Sequence, residues 1–501
     1  MRSRRMPARG AAADWCSSDM AESVHVLTAV GMTGRHDFGT PEWWRDRLLD
    51  KIARRRLADD VIARYVDGDH PLAFAKTRYR EAFGALLDPL RDDWLGVVVE
   101  AATERLVVDG FRAGGTDETG DDAAWEIWQA NGLDSRSGEA HDESVKFGVA
   151  FLVTGPGDDG PVVLTVPASR AAVERDPVRP TRRLAGVHTW MEADGSERCV
   201  LWTPDARVEW ARRAGSIVGL AGWEQIGDIR NRVGVVPIVP LVNRPSLRHP
   251  DGRSDIDPIM PMQDAINKLL ADMMVASEYA AFRQRYATGI EIPTDPETGQ
   301  QLDSQFIASQ STLWTTEDPD VRFGEFSASD LTNYTGGIEM VVRHIAAQTR
   351  TPPHYLMGEI VNSSAEALKA AEAGLVARVR AKMLTFGESW EDAVRLAFAW
   401  QGDAERATNS RIETIWRDPE TRTEAERVDA ITKLASIGVP QEALWSMIPG
   451  MTPQKLSRWR AMRDQDALAL GLSFGGAAPV AAGEPVVPVS AAAQQAAPTV
   501  G

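Results

Sequence analysis

A chain of 501 residues, 43% of them hydrophobic, has room for two to four domains and a sizeable core. Its 72 acidic against 55 basic residues leave a formal charge of -17, which argues against broad electrostatic attraction to nucleic acid. Two distant cysteines, Cys16 and Cys199, support neither a disulfide framework nor a zinc site, and no apolar run of about 18 residues marks a membrane span, so a soluble chain in a reducing compartment is expected.

Residues 1–40 begin with Arg2, Arg4, Arg5 and Arg9, and no apolar segment follows them. This reads as a disordered basic start rather than a secretory signal; an upstream start codon, with Met20 as the true one, is the alternative for residues 1–19. From Pro41 to Phe111 the pattern is helical, with Trp43, Trp44, Leu48 and Ile52, then Val61, Ile62 and Tyr65, then Phe83, Leu86 and Leu90 on apolar faces. The Arg54-Arg55-Arg56 cluster is set among Asp50, Asp59 and Asp60, which favours a solvated helix face over a nucleic-acid contact. Between Val145 and Val242 the period shortens to β-type runs, with Asp194-Gly195 as a hairpin turn. Gly155 to Gly160, GPGDDG, matches GxGxxG, but a strand pattern follows it and two aspartates repel a pyrophosphate, so a hairpin is expected there too.

Proline-punctuated chain leads to Asp257-Pro258, an expected N-cap and first helical residue. Ile259, Met262, Ile266, Leu269, Leu270, Met273 and Met274 then share one helical face, where the methionines suit adaptable packing better than a ligand site. Short β runs occupy Gly289 to Phe326. Next, Leu331, Tyr334, Ile338, Val341, Val342 and Ile345 form a stripe that Thr351-Pro352-Pro353 must end near Arg350. A capping box, Ser363 with Glu366, opens a helix through Leu368, Leu375, Val379, Phe386, Trp390 and Val394 to Trp400, roughly 55 Å long. Such a length links layers or subunits. Arg411 to Trp416 reads as a strand, and Thr423 with Glu426 caps a helix carrying Val428, Ile431, Leu434 and Ile437. Past Gly475 the Ala/Pro/Val-rich tail has no period and is expected to be disordered.

No catalytic constellation emerges. GxxxxGK[ST] and HExxH are missing, and GLSFG at Gly471 to Gly475 has no strand before it and no histidine after it. His344 and His354 read as a helix-face and a loop residue, and Asp121-Asp122 and Asp158-Asp159 as solvated turn carboxylates. Neither a metal nor another cofactor is expected.

The order of parts is β-rich domain, helix, small β insertion, helix, proline-kinked loop, very long helix and helical end. With GVVPIVPLVNRP at Gly234 to Pro245, IMPMQDAINKLLADMMVASEYAAF at Ile259 to Phe282 and TPPHYLMGEIVNSSAEALKAAE at Thr351 to Glu372, the chain from Trp43 to Arg460 resembles the portal proteins of tailed double-stranded DNA bacteriophages, most closely the SPP-one type found in actinobacterial phages. The resemblance implies an α+β protomer: a wing over 41–256 with its β-rich part at 145–242, stem helices at 257–284 and 327–350, a clip at 285–326, a tunnel loop at 351–363, a long wing helix at 364–402, a crown at 403–465 and a disordered tail at 466–501. It further implies a homo-oligomeric ring, usually of twelve, at one capsid vertex of the virion, assembled in the host cytoplasm. Double-stranded DNA passes through without sequence readout, and terminase, a head-to-tail adaptor, and major capsid and scaffolding proteins are the partners.

Under that reading His354, Tyr355, Gly358 and Asn362 face DNA, unless Tyr355 and Leu356 instead pack between neighbouring loops. Asp264, Asn267, Lys268, Asp272 and Arg343 line the channel, and Trp314, Glu317, Asp318 and Arg322 form the clip docking surface. A metal-dependent nuclease with carboxylates gathered from distant segments is the competing enzyme reading; an adaptor or scaffold without a channel is the third.

Overall fold

The structure, a computed structural model, describes residues 36–70, 91–113, 120–213, 222–281, 285–289, 320–325, 330–358, 365–420, 424–448, 451 and 453–474. It divides into two units, residues 1–423 and 424–501.

The first unit is layered, and strand β2 (Val149–Gly157) shows why. Its run Val149-Ala150-Phe151-Leu152-Val153 is apolar at every position, so alternation sends side chains into two different cores. Val149, Phe151 and Val153 meet Val166, Val173, Val200, Trp202 and Ile238 on one side, while Ala150 and Leu152 join Val239, Leu241, Leu375, Phe386 and Trp390 on the other. β2 is the centre of a three-stranded antiparallel sheet between β3 (Gly160–Pro167) and β9 (Ile238–Val242). The expected GPGDDG hairpin is the β2–β3 turn, with Gly157 opposite Gly160.

A second sheet runs in the order β4 (Ala171–Arg175), β5 (Arg183–Met191), β6 (Glu197–Trp202), β7 (Ala206–Arg212) and β8 (Glu224–Arg230), every pair antiparallel. One of its faces packs on the first sheet. The other takes Leu48 and Ile52 of helix α1 (Pro41–Val66), whose Thr40 side chain caps the Trp43 N–H. Arg54 pairs outward with Asp50 at 2.6 Å, as a solvated face requires, but Arg55 turns inward to Asp59 and the Phe147 carbonyl.

Behind the three-stranded sheet lie α2 (Leu95–Thr103), α3 (Asp122–Ala130), α4 (Leu133–Phe147), α5 (Met260–Ala281), α6 (Thr332–Thr349), the short α7 (Pro353–Met357) and the 37-residue α8 (Ala365–Gln401). The helical expectation for 41–111 is corrected at its end: Val108–Arg112 is strand β1, and α2 is the helix before it. Residues 71–90, with Phe83, Leu86 and Leu90, lie outside the described residues. β1 pairs with β12 (Glu413–Trp416), roughly 300 residues later, so the chain after α8 is tied to the first unit rather than to a crown beginning at 403. Nor does Asp257 cap the stem helix: it is the exposed first residue of a 3-10 turn, Asp257–Ile259, and the Ser254 hydroxyl accepts the Ile256 and Asp257 N–H groups. Strands β10 (Arg285–Thr288) and β11 (Arg322–Glu325) pair as a ribbon, and the chain between 290 and 319 lies outside the described residues.

An aromatic cluster locks α8 to its neighbours. The Trp390 indole N–H donates to His141 Nε2 at 2.9 Å, and Phe386, Trp416 and Trp128 stack around the pair. Complete burial pushes His141 from its ordinary 6.5 down to about 3. The unfolded chain therefore takes up this proton first as pH falls, so the stability present above pH 6.5 is lost progressively toward pH 3. His141→Gln keeps an acceptor for Trp390 without a titrating ring, and it is expected to flatten that part of a melting-temperature profile measured against pH.

The second unit holds α10 (Glu424–Ser436), α11 (Gln441–Ser446) and α12 (Pro453–Phe474), the label α9 belonging to the short turn Ala404–Ala407. Helix α12 continues to Phe474, eight residues beyond the expected start of the 466–501 tail, and residues 475–501 lie outside the described residues. Leu444 and Leu456 are buried, Trp445 meets Trp459 edge-on at 5.7 Å, and Glu442 bridges Arg460 and Arg463. The expected stripe on α10 is only partly covered, with Val428 and Ile437 exposed.

Candidate nucleic-acid interface and the buried charges behind it

Helix α6 ends as the double proline demands. Arg350 turns left-handed at φ 56° and, like Thr351, returns its N–H to the Ala346 carbonyl. Pro352 is extended, Pro353 opens α7, and Gly358 closes it with φ 68° and an N–H to the His354 carbonyl at 3.1 Å. This is a fixed hairpin of chain rather than an open loop, because Leu356 is buried and Tyr355 and Met357 pack on the same core.

Tyr355 is held from behind. Arg105, just past α2, donates to its hydroxyl and stacks over its ring at 5.3 Å. His354 is half-buried, 3.9 Å from a Glu372 carboxylate oxygen and 5.0 Å from the Tyr355 ring. Of the four residues expected to face DNA, then, Tyr355 is engaged within its own chain, His354 is partly covered, Gly358 is exposed, and Asn362 lies outside the described residues.

Below the hairpin sits a buried ionic hub. Asp255 accepts from Arg378 at 2.6 Å and from Lys382 at 2.7 Å on one oxygen, and from Asn243 at 3.0 Å and Arg244 at 3.4 Å on the other. Arg378 also donates to the Thr349 carbonyl at the end of α6 (2.9 Å) and to the Val98 carbonyl of α2 (3.4 Å). Burial alone would push Asp255 up, but the Lys382 ammonium and the Arg378 guanidinium outweigh it and hold the carboxyl well below its ordinary range. Burial also pulls Lys382 down to about 8, with Asp255 opposing the shift. Arg244 and Arg350, the non-glycine residues with positive φ among the described residues, both flank the hub. Gly252 lets the Asp255 loop cross the Gly148 backbone, where a Cβ would come within 2.0 Å of the Gly148 carbonyl oxygen.

Of the α5 residues expected to line a channel, Asn267 is buried and Asp264, Lys268 and Asp272 are half-buried. Asn267, 3% exposed, accepts the Asp92 N–H at 2.9 Å and donates to His70 Nδ1 at 3.0 Å, leaving His70 Nε2–H for the Tyr65 carbonyl. Asp264 accepts from the Tyr65 hydroxyl at 2.7 Å. Lys268 and Asp272 form an i,i+4 ion pair, half-buried on both sides. The amphipathic period marked these as one polar face, but it does not separate water from a buried polar partner. On α6, Arg343 stays exposed beside Glu339. Asn267→Ala strands a buried N–H and a buried imidazole, and is expected to lower stability by about 1–3 kcal/mol in urea denaturation.

Of the four residues expected at a clip, Arg322 on β11 is exposed, while Trp314, Glu317 and Asp318 lie outside the described residues. Among the described residues no group of three or more His, Cys, Asp or Glu gathers as a metal site would need, and no helix is long and apolar enough to cross a membrane. Sequence reasoning missed Arg105, Asp255, Arg378 and Lys382. A signal existed for two of them: Arg378 and Lys382 interrupt the apolar stripe of Leu375, Val379 and Phe386 at helical spacing.

Two curated relatives match along nearly all of their length. The portal protein of Mycobacterium phage L5 is 32% identical over 465 residues, 86% of this chain and 92% of the relative. That of Mycobacterium phage D29 is 33% identical over 475 residues, 88% of this chain and 94% of the relative. Among solved structures, a chain from the virion of a native gene transfer agent particle aligns at 14% identity with a TM-score of 0.39, covering 83% of this chain and 94% of that one. The family described as phage portal protein, SPP1 Gp6-like, matches residues 92–468, from just before α2 in the first unit into α12 of the second. With that span and those identities, the chain belongs to the SPP1 Gp6-like family of phage portal proteins.

Proposed function

We propose that copies of this chain close into a ring, about twelve strong, at one vertex of a phage capsid, and that double-stranded DNA enters and leaves through its centre. Carrying the reading is the match to relatives named portal protein over most of both chains. The architecture supports it: two helices, α5 and α6, flank an inserted β ribbon, and α6 runs through a braced hairpin toward the long α8. In this arrangement α5 and α6 are the stem, residues 285–326 the clip that docks terminase and later an adaptor, and residues 351–363 the loop nearest the DNA. Capsid and scaffolding proteins contact the outer parts.

The charge suits a conduit. A ring of that size carries roughly -200 formal charges before counterions, so DNA slides instead of adhering. Because Tyr355 is held by Arg105, residues 358–363 are the part of the loop left to approach the duplex. Its contacts are to the backbone, without base readout.

Negative-stain images of the purified chain test the reading. Rings with a central hole are expected; monomers that persist alongside capsid and scaffolding proteins overturn it. Metal-dependent cleavage of DNA by the purified chain is the result that favours the nuclease instead.

A further inference from the structure

The three-stranded sheet has unpaired charge of opposite sign at its two ends. At one end, the β2–β3 turn holds Asp158 and Asp159, both exposed and, among the described residues, without an ion pair or a side-chain hydrogen bond. The nine residues of β2 put about 30 Å between this turn and Gly148, whose carbonyl accepts the Asn243 N–H at 2.9 Å just past β9. From Asn243 the chain enters a braced loop. Ser246 and His249 exchange backbone hydrogen bonds at 3.1 and 3.0 Å, so Leu247 and Arg248 stand at the tip of a tight turn. Arg175, at the end of β4, donates to the Pro250 carbonyl at 3.1 Å, and Lys51 of α1 holds Asp251 at 2.8 Å. A second loop is fixed beside the first, since Asp176 accepts the Val178 and Arg179 N–H groups at 2.8 and 3.2 Å. Val178 and Leu247 are each three residues from the Arg175–Pro250 bond, which keeps the two tips at the same end of the sheet.

Leu247 is fully exposed and Val178 84% exposed, and among the described residues the Arg179 and Arg248 side chains make no ion pair or hydrogen bond. Two loops fixed this firmly, with aliphatic side chains in water and cations unpaired, have the character of a docking surface whose ordering precedes contact. Its complement is an acidic patch. Copies of a chain with a formal charge of -17 repel one another, so they approach closely only where unlike patches meet. Unlike patches at opposite ends of one subunit make a heterologous, head-to-tail contact, the kind that closes rings. An isologous contact at either end would instead set like charges against each other.

Resting on the ring reading above, we propose that the β2–β3 turn of one copy docks on the two arginine loops of the next, with Asp158 and Asp159 against Arg179 and Arg248 and with Val178 and Leu247 covered at the contact. Charge reversal on the full chain tests it, with assembly followed by sedimentation and negative-stain imaging. One variant carries Asp158→Arg with Asp159→Arg, the other Arg179→Glu with Arg248→Glu. Each alone sets like charges together, and is expected to need at least about tenfold more protein than the wild type for half-assembly. An equimolar mixture of the two restores unlike pairs at every contact, since the variants can alternate around an even ring, and is expected to assemble as the wild type does. That rescue also shows that both variants fold. Wild-type rings that survive either pair of reversals, or a mixture that assembles no better than its components, overturn this contact alone. Wild-type chains that stay monomeric overturn the ring and the contact with it.

Discussion

Asp255→Ala is expected to destabilise the first unit by about 3–5 kcal/mol, because it leaves a buried lysine and a largely covered arginine facing each other without their shared anion. Lys382 is already drawn down to about 8 by burial; without Asp255 to oppose that, and with Arg378 repelling it, the ammonium loses its proton more readily than in the native chain. Asp255→Asn combined with Lys382→Met removes both charges and recovers part of the loss, which separates the ionic cost from the loss of packing. Urea denaturation of the single and double variants is the measurement. A loss below about 1 kcal/mol for Asp255→Ala would show that the hub carries little of the fold. Acid has a related effect on the native chain: a carboxyl held below its ordinary range adds stability that is present above pH 4 and lost as pH falls below it.

The hub also shows which layer of information a sequence carries. The β-type runs between Val145 and Val242 and the end of α6 at two prolines were legible, since each is a local property of chain geometry. The partners of α5's polar face were hidden for a different reason. Asn267 and Asp264 look like a solvated stripe until residues 65, 70 and 92, from 175 to 199 positions earlier, arrive as their partners. Arg378 and Lys382 were legible as oddities within an apolar stripe, but their anion, Asp255, is one carboxylate among 72 acidic residues and has no local mark. Likewise, Tyr355 has opposite roles depending on whether Arg105 stands behind it, and 250 residues separate the two.

That pairing sets the second large effect. Arg105→Ala removes a stacked cation and a hydrogen bond to Tyr355, together worth about 2–3 kcal/mol of loop anchoring, which corresponds to about a 30- to 150-fold shift from held to released hairpin. Tyr355→Phe keeps the ring under the guanidinium and loses only the acceptor, so its effect is smaller, about 1 kcal/mol. Leu356 stays in the core in both variants, so the chain still folds and α6 keeps its end. Faster hydrogen exchange across 353–358 with unchanged global melting is the expected physical result. In a phage carrying the variant, shortened or lost packaged DNA is expected while particles still assemble, because an unbraced loop no longer keeps one position against the moving duplex. Unchanged exchange together with full-length packaging would reduce Tyr355 to a space-filling residue. Altered exchange with full-length packaging would place the control of DNA passage in residues 358–363 alone, where the chain leaves the brace.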